Sequence, residues 1–398
     1  MIPITLPAWI YANDEFFALE CEAIFRRTWQ LVGHVNELKQ PGDFLRFDLL
    51  GESAIVLRDK QGRLQAFHNV CRHRAFRLLE GDQGNCGRAV RCRYHGFLYD
   101  LDGRLMGVPS EDSFPGLDKS EYGLRPVEME IFLGLVFIRF GGDGPSIAEQ
   151  FEPYREALGF YRIAEMEPLG PHSHTPIAAD WKVAVENNSE AYHVPVGHPG
   201  LQRLYGTTYR YEVKPLGVSH GGGRLIDRPS PSWSERHYLK LLPPVEHLPE
   251  DRRRAWLYYS MFPSLAFDIY PDQIDYFQIL PLSPGRCIAR SRAYALPDAR
   301  REMKAARWLN QRINRLVGAE DKGLVEGVQA GLGSSGYRSG ILSAKEVRVQ
   351  QFQSMIRAAI PVAGQETAPE AGSVARRNRE LKATQTVRES RPELSVRA

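Results

Sequence analysis

An α+β fold is predicted, with a small antiparallel β domain ahead of a larger catalytic domain whose antiparallel sheet is flanked by helices. Three observations carry it. From Phe44 to Phe140 apolar residues fall in short strand-like runs broken by turn formers. Residues 202–295 again alternate in short aromatic and β-branched runs, enough for a second, larger sheet. Residues 299–330 and Ser343–Ala359 instead repeat at helical spacing.

Four segments follow in chain order. Residues 1–35 are expected to form a helical segment packing on the body, with residues 14–30 at helical spacing and Asn13 as the cap. Residues 36–142 are the small β domain: the runs FLRFDLL, SAIVLRD and LQAFHNV, a hairpin turning at Asp102-Gly103, and the apolar strand Ile131–Phe140. Gly141-Gly142-Asp143-Gly144-Pro145 marks the boundary. Residues 143–360 are the larger domain, opening with the helical FEPYREALGFYRI and a strand from Thr175 to Trp181. Within it, Gly221-Gly222-Gly223 is expected to be a flexible loop near the pocket entrance. Residues 361–398 lose apolar content and carry Arg376, Arg377, Arg379, Lys382, Arg388, Arg391 and Arg397, which predicts a disordered tail. A docking surface for an acidic electron-transfer partner is the second reading of that tail.

Composition narrows the function. A net charge of +3 is too small to argue for nucleic acid. The start of the chain lacks the pattern of a signal peptide, and the apolar run Ile131–Ile138 is far short of a membrane span, so a cytoplasmic protein without a membrane segment is expected. Five cysteines at irregular spacing argue against a disulfide framework, and Cys21, Cys86 and Cys287 are expected to be ordinary thiols.

Cys71 and Cys92 are different. Cys71-Arg72-His73 is followed after eighteen residues by Cys92-Arg93-Tyr94-His95, placing a mixed Cys/His pair on each of two loops. Two thiolates and two imidazoles make a metal site. Zinc sites more often pair cysteine with cysteine and histidine with histidine. A Rieske [2Fe–2S] centre holds one iron by two thiolates and the other by two imidazoles. The mixed loops favour the cluster, leaving a zinc-stabilised binding module as the remote alternative.

A second constellation lies at Glu190-Ala191-Tyr192-His193-Val194-Pro195-Val196-Gly197-His198. Non-haem Fe(II) sites that activate dioxygen use two histidines and one carboxylate on one face of the metal. His193 and His198 are five apart, poor spacing within a regular helix. Pro195 and Gly197 between them would end the helix and let His198 turn back toward His193. Taken alone, the residues leave Glu320, Asp321 and Glu326 open as the third ligand.

These motifs together resemble the oxygenase components, or alpha subunits, of Rieske non-haem iron aromatic-ring-hydroxylating oxygenases, over most of the chain from Trp29 to near Ala359. The resemblance implies that Cys71, His73, Cys92 and His95 hold the [2Fe–2S] Rieske cluster and that His193, His198 and Asp321 hold mononuclear Fe(II). It implies that Glu190 bridges His193 to a cluster histidine of the neighbouring subunit in a homotrimer, with Asn187 in support. Glu at this bridging position points to the branch acting on quaternary ammonium and other N-alkyl compounds.

Electrons would come from NAD(P)H through a reductase, a ferredoxin or both. Gly331-Leu332-Gly333-Ser334-Ser335-Gly336 matches a dinucleotide-binding pattern but follows a helical stretch with no βαβ context, so it is expected to be the loop between two helices. The expected reaction is monooxygenation, as hydroxylation or oxidative N- or O-dealkylation of a small organic substrate using O2. Cis-dihydroxylation of an arene is the alternative. Trp233, Tyr238, Trp256, Tyr258, Tyr259, Phe262, Phe267, Tyr270, Tyr276 and Phe277 fall in the region expected to line the pocket; aromatics on alternating strands are expected mostly to make core, and those that face the iron to hold an aromatic ring or a cation over their π faces.

Overall fold

The structure is a computed structural model and describes residues 3–214 and 217–389. Helix α1 (Asp14–Glu20) begins where Asn13 Oδ1 accepts the Phe16 amide at 2.8 Å. It continues as a wider turn only to Phe25. The expected helix would reach residue 30, but Gln30–His34 is strand β1, because Leu31 and Val32 are wholly buried.

Strands β2 (Asp43–Leu49), β3 (Glu52–Arg58), β4 (Leu64–His68) and β5 (Gln83–Asn85) form an antiparallel sheet ordered β4-β3-β2-β5. Strands β6 (Val90–Arg91), β7 (Leu98–Tyr99) and β8 (Leu105–Gly107) form a small second sheet, with the Asp102-Gly103 turn between β7 and β8. A third sheet sets β10 (Leu135–Arg139) between β1 and β9 (Glu128–Phe132). Short helices α2 (Ile147–Phe151) and α3 (Arg155–Gly159) follow.

The larger sheet has eight strands. Strands β11 (Glu167–Pro168), β12 (Ser173–Ile177), β13 (Arg210–Val213), β14 (Val218–Arg224), β15 (Ala255–Met261), β16 (Leu265–Ile269), β17 (Ile274–Ser283) and β18 (Arg286–Ala295) run antiparallel in the order β11-β18-β17-β16-β15-β14-β13, with β12 also on β18. Strand β12 stops at Ile177, and Trp181 opens helix α4 (Trp181–Asn188) instead of closing the strand, because Asp180 accepts the Lys182 amide and caps a helix there. Helices α5 (Val194–Gly197), α6 (Pro199–Tyr205), α7 (Trp233–Leu241), α8 (Arg301–Leu332) and α9 (Val347–Ala359) complete the body.

Alternation along β15 and β16 separates two faces. Leu257, Tyr259, Met261, Leu265, Phe267 and Ile269 join one core. Trp256 and Tyr258 join another, built with α6, α7 and the first half of α8.

The run Gly221-Gly222-Gly223 is not a flexible loop: it lies within β14 and is buried. A Cβ at Gly221 would stand 2.4 Å from the Tyr209 hydroxyl, and one at Gly223 would stand 2.9 Å from Tyr205 Cδ1. Glycine lets those rings lie against the sheet.

The expected disordered tail is also corrected as far as it is described. Pro361, Val362 and Ala363 are buried, and helix α10 runs Val374–Glu389. Val374, Asn378 and Leu381 make its inward stripe, and Glu15 accepts the Gly372 and Val374 amides at 2.6 and 3.1 Å. A carboxylate at a helix N-terminus is favourable. The arginines lower the apolar content of this segment but occupy the outer face. Arg391 and Arg397 lie outside the described residues, as does the side chain of Arg388.

Candidate active site

The two cysteine loops are structural copies of one another. Cys71 donates its amide to Phe76 O at 2.8 Å while Ala75 returns one to Cys71 O at 3.1 Å. Cys92 donates to Phe97 O at 2.8 Å while Gly96 returns one to Cys92 O at 3.0 Å. Ala75 and Gly96 both turn through positive φ, 54° and 79°. Histidine stands two residues after the first cysteine and three after the second, and the imidazole rings of His73 and His95 come within 4.7 Å.

Both thiols are buried, whereas His73 is half-buried and His95 exposed. Burial raises the Cys71 thiol, so a metal held there would have to displace its proton. Tyr99 Oη lies 3.3 Å from Cys71 Sγ and accepts the Arg72 amide at 3.0 Å. Burial, His95 and Arg74 lower His73, keeping its imidazole in the neutral form a metal requires.

Helix α4 ends at Asn188. A turn and the single-turn α5, with Pro195 at its start, then carry the chain from His193 to His198, which precedes α6. The rings of His193 and His198 approach to 4.9 Å, as the Pro195 and Gly197 break predicts. Asp321 on α8 completes the group: one donor atom from each of His193, His198 and Asp321 lies within 4.8 Å of the others. Among the described residues no other three such donors are gathered so closely.

Each histidine is oriented by a carboxylate. His193 Nδ1 donates to Glu190 Oε1, which leaves Nε2 3.6 Å from Asp321 Oδ1. The other Glu190 oxygen accepts the His193 amide at 3.1 Å. His198 Nδ1 faces Glu320 Oε2 at 2.7 Å and its Nε2 faces Asp321 Oδ1 at 2.8 Å. Asn187 Nδ2 donates to Asp321 Oδ1 at 2.6 Å. Burial opposes protonation of His198, but Asp321 and Glu320 outweigh it and its pKa lies above the usual value.

The three acids left open by the residues alone therefore have three different environments. Asp321 faces both histidines, Glu320 orients His198, and Glu326 accepts the Ala178 amide at 3.0 Å. Two imidazoles and one carboxylate with oriented rings are a donor set suited to non-haem iron.

Comparison with known proteins agrees with this geometry. The family described as "Ring hydroxylating alpha subunit (catalytic domain)" matches residues 163–361, and "Rieske [2Fe-2S] domain" matches residues 28–121. The chain belongs to this family of Rieske oxygenase alpha subunits. The carnitine monooxygenase oxygenase subunit of Acinetobacter pittii is 28% identical over 342 residues, 84% of this chain and 86% of that protein. The glycine betaine monooxygenase oxygenase subunit of Pseudomonas aeruginosa is 34% identical over 199 residues, 50% of this chain and 45% of that protein. Among solved structures, the quaternary ammonium Rieske monooxygenase CntA superposes with a TM-score of 0.77 at 25% identity, covering 90% of this chain and 96% of that one. Naphthalene 1,2-dioxygenase from Rhodococcus shares the fold, with a TM-score of 0.73 at 20% identity over 89% of this chain and 94% of that one.

This Rieske oxygenase uses a [2Fe–2S] cluster and a mononuclear iron, and it is the oxygenase component of a system with electron-transfer partners. Its relatives favour the monooxygenase or dealkylase reading over cis-dihydroxylation. No helix among the described residues is long and apolar enough to cross a membrane.

The candidate aromatics divide. Trp256, Tyr258 and Tyr270 are on the face toward α8, Tyr259, Phe267 and Tyr276 are in the opposite core, and Trp233 is half exposed on the surface. Tyr238 is buried behind Trp256, and Phe262 and Phe277 line a narrow cavity beside Ser189 and Arg348. Alternation alone does not say which face meets α8, and it gives no role to the acids of β16 and β17; Glu320, open as a third ligand, orients His198 instead.

Proposed function

We propose that this oxygenase removes an N-methyl group from a small quaternary or N-alkyl ammonium compound, with Cys71, His73, Cys92 and His95 holding the cluster and His193, His198 and Asp321 holding the iron. The observation that carries the ligand set is the pair of oriented imidazoles converging on Asp321 Oδ1. The substrate class is carried over from relatives whose names specify carnitine and glycine betaine.

The iron supplies the activation of dioxygen. The protein's part is to fix the donors and keep the pocket dry. Glu190 and Glu320 hold the two rings through Nδ1 so that Nε2 serves the metal, and Asn187 steadies the Asp321 carboxylate. With two electrons and two protons, O2 converts one N–CH3 into N–CH2OH and water. The carbinol then breaks its C–N bond, releasing formaldehyde, the tertiary amine and a proton.

Electrons would come from NAD(P)H in the cytoplasm through a reductase, with or without a ferredoxin. A homotrimer is proposed, with Glu190 linking His193 to His73 or His95 of the adjacent subunit. Tyr192 and Val196 beside His193 are 55% and 87% exposed, apolar surface of the kind subunit contacts cover. Inter-subunit electron transfer is described for a solved quaternary ammonium Rieske monooxygenase of this fold.

The test is anaerobic purification, metal counting, and spectra of the dithionite-reduced protein, followed by formaldehyde assays on N-methyl ammonium compounds. About three irons per chain with a Rieske-type rhombic signal are expected, together with formaldehyde in step with O2 uptake. A colourless zinc protein would end the oxygenase chemistry, and a fully active monomer would end the intersubunit bridge.

A further inference from the structure

One row of side chains on the α8-facing side of the large sheet is not used by the metal site. Gly221, Tyr258, Asp268 and Asp275 lie directly opposite one another across β14, β15, β16 and β17. Tyr205 meets the Tyr258 hydroxyl with its own, and Tyr209 packs on both rings at 5.8 and 6.2 Å. Tyr270 donates to Asp268 Oδ2 at 3.2 Å, and Trp256 backs Tyr205 and Tyr270 at 6.2 and 4.7 Å. Gly221 and Gly223 make the space that Tyr209 and Tyr205 occupy.

The two acids of the row are treated differently. Asp275 accepts from Gln273 Nε2 at 2.6 Å and from Asn314 Nδ2 at 3.2 Å. Asp268 Oδ1 is buried with no hydrogen-bond partner among the described residues. A buried carboxylate oxygen without a donor is costly, and a like charge directly across the strand adds to the cost. Burial first, then Asp275, push Asp268 up to about 8, and the Asp321 carboxylate adds to the shift. Asn314, about two turns before Asp321 on α8, donates to Tyr270 Oη at 2.7 Å and to Asp275 Oδ2 at 3.2 Å, so the row packs against the helix that carries Asp321.

A quaternary nitrogen has no hydrogen to donate. It is recognised by negative charge and by the faces of aromatic rings. A carboxylate whose free oxygen no protein donor answers, among four tyrosines, matches that chemistry. A neutral ligand of the same shape would leave the carboxylate unanswered.

We propose that Asp268, walled by Tyr205, Tyr209, Tyr258 and Tyr270, is the specificity-determining residue that receives the cationic nitrogen of the substrate beside the iron. The assignment rests on the ammonium reading of the substrate. It adds the group that reads the charge and predicts that charge, rather than size, governs selection.

The test compares choline with its uncharged carbon isostere 3,3-dimethylbutan-1-ol, by calorimetric titration of the iron-loaded holoenzyme at pH 8. The wild type is expected to bind choline at least tenfold more tightly than the alcohol. Asp268→Asn should lose at least tenfold for choline and hold the alcohol within twofold, while Asp268→Glu keeps the preference for the cation. Tyr209→Leu, which leaves the charge in place, should weaken choline severalfold and spare the alcohol, and it serves if Asp268→Asn does not fold. An Asp268→Asn protein with full iron and cluster content that still prefers choline would overturn the role of Asp268 and leave the ammonium reading standing. A wild type that does not distinguish the pair would overturn both.

Discussion

Glu320 holds its Oε2 2.7 Å from Nδ1 of the buried His198, turning the opposite ring nitrogen toward Asp321. The carboxylate comes from α8 and the imidazole from the turn before α6, so the contact ties two distant segments at the metal site. Carboxylates in this position fix the ring and raise its basicity, and their loss typically costs ten- to a hundredfold in metal affinity. Glu320→Ala is expected to weaken iron binding by about that factor. Chelator competition on the purified protein measures it, and the visible spectrum of the cluster should be unchanged. Undiminished iron affinity would reduce Glu320 to a surface charge.

Asp321 faces both histidines, so Asp321→Ala should lose the mononuclear iron and the activity while the cluster spectrum persists. Asn187 touches the site through its 2.6 Å donation to Asp321. Asn187→Ala should therefore fall between the wild type and Asp321→Ala, retaining iron with a faster off-rate. Metal analysis before and after dialysis distinguishes them, and equal iron retention in Asp321→Ala and wild type would move the third ligand elsewhere.

The paired Cys/His loops and the approach of His193 to His198 were legible because each is a local pattern, complete within a few residues of chain. Glu320 was not, because its role depends on where His198 arrives after a proline turn more than a hundred residues earlier. Asp268 was hidden for a related reason. Its meaning comes from strand register, with Tyr258 on one side and Asp275 on the other, and short runs such as SLAFDIY do not fix register. The glycines of β14 misled because glycine in a strand can mark close approach by rings from elsewhere, here Tyr205 and Tyr209. Helix α10 was missed because Val374, Asn378 and Leu381 make a thin stripe and the capping carboxylate, Glu15, lies at the other end of the chain.

Lys182 ties α1 to the start of α4 from inside. Its ammonium is wholly buried, 2.6 Å from Glu20 of α1 and 2.7 Å from Asp180. Burial works against its charge, but Asp180 and Glu20 outweigh burial and hold its pKa above the usual value. Lys182→Met would leave two acids buried without their cation. A loss of about 3–5 kcal/mol is expected, read as a lower urea midpoint. The doubly changed Glu20→Gln, Lys182→Met protein should recover part of it, and no recovery would show that the lysine acts by packing alone.

The Asp268–Asp275 pair makes both cation binding and stability depend on pH. Asp268 is held up at about 8 and Asp275 at about 7, in each case chiefly by burial. The charged groups that act on Asp268 are Asp275, Asp321 and Arg348, and around it stand Tyr205, Tyr209, Tyr258 and Tyr270, all held above the ordinary phenol value. Below about pH 8 a cation must first drive the proton from Asp268. Choline affinity is therefore expected to rise up to about tenfold per pH unit from pH 6 toward 8 and to level off above it, with proton release seen as a buffer-dependent heat. Stability runs the other way. A carboxyl whose folded pKa is raised stabilises the fold fully below its unfolded value near 4, and that contribution is lost as pH rises through the folded value near 8. Asp268→Asn removes the loss, so at pH 9 it should be more stable than the wild type by on the order of 1 kcal/mol, while binding choline less tightly. A variant that gains stability as it loses the cation marks a charge kept for binding, whereas one that loses both would mark Asp268 as part of the scaffold.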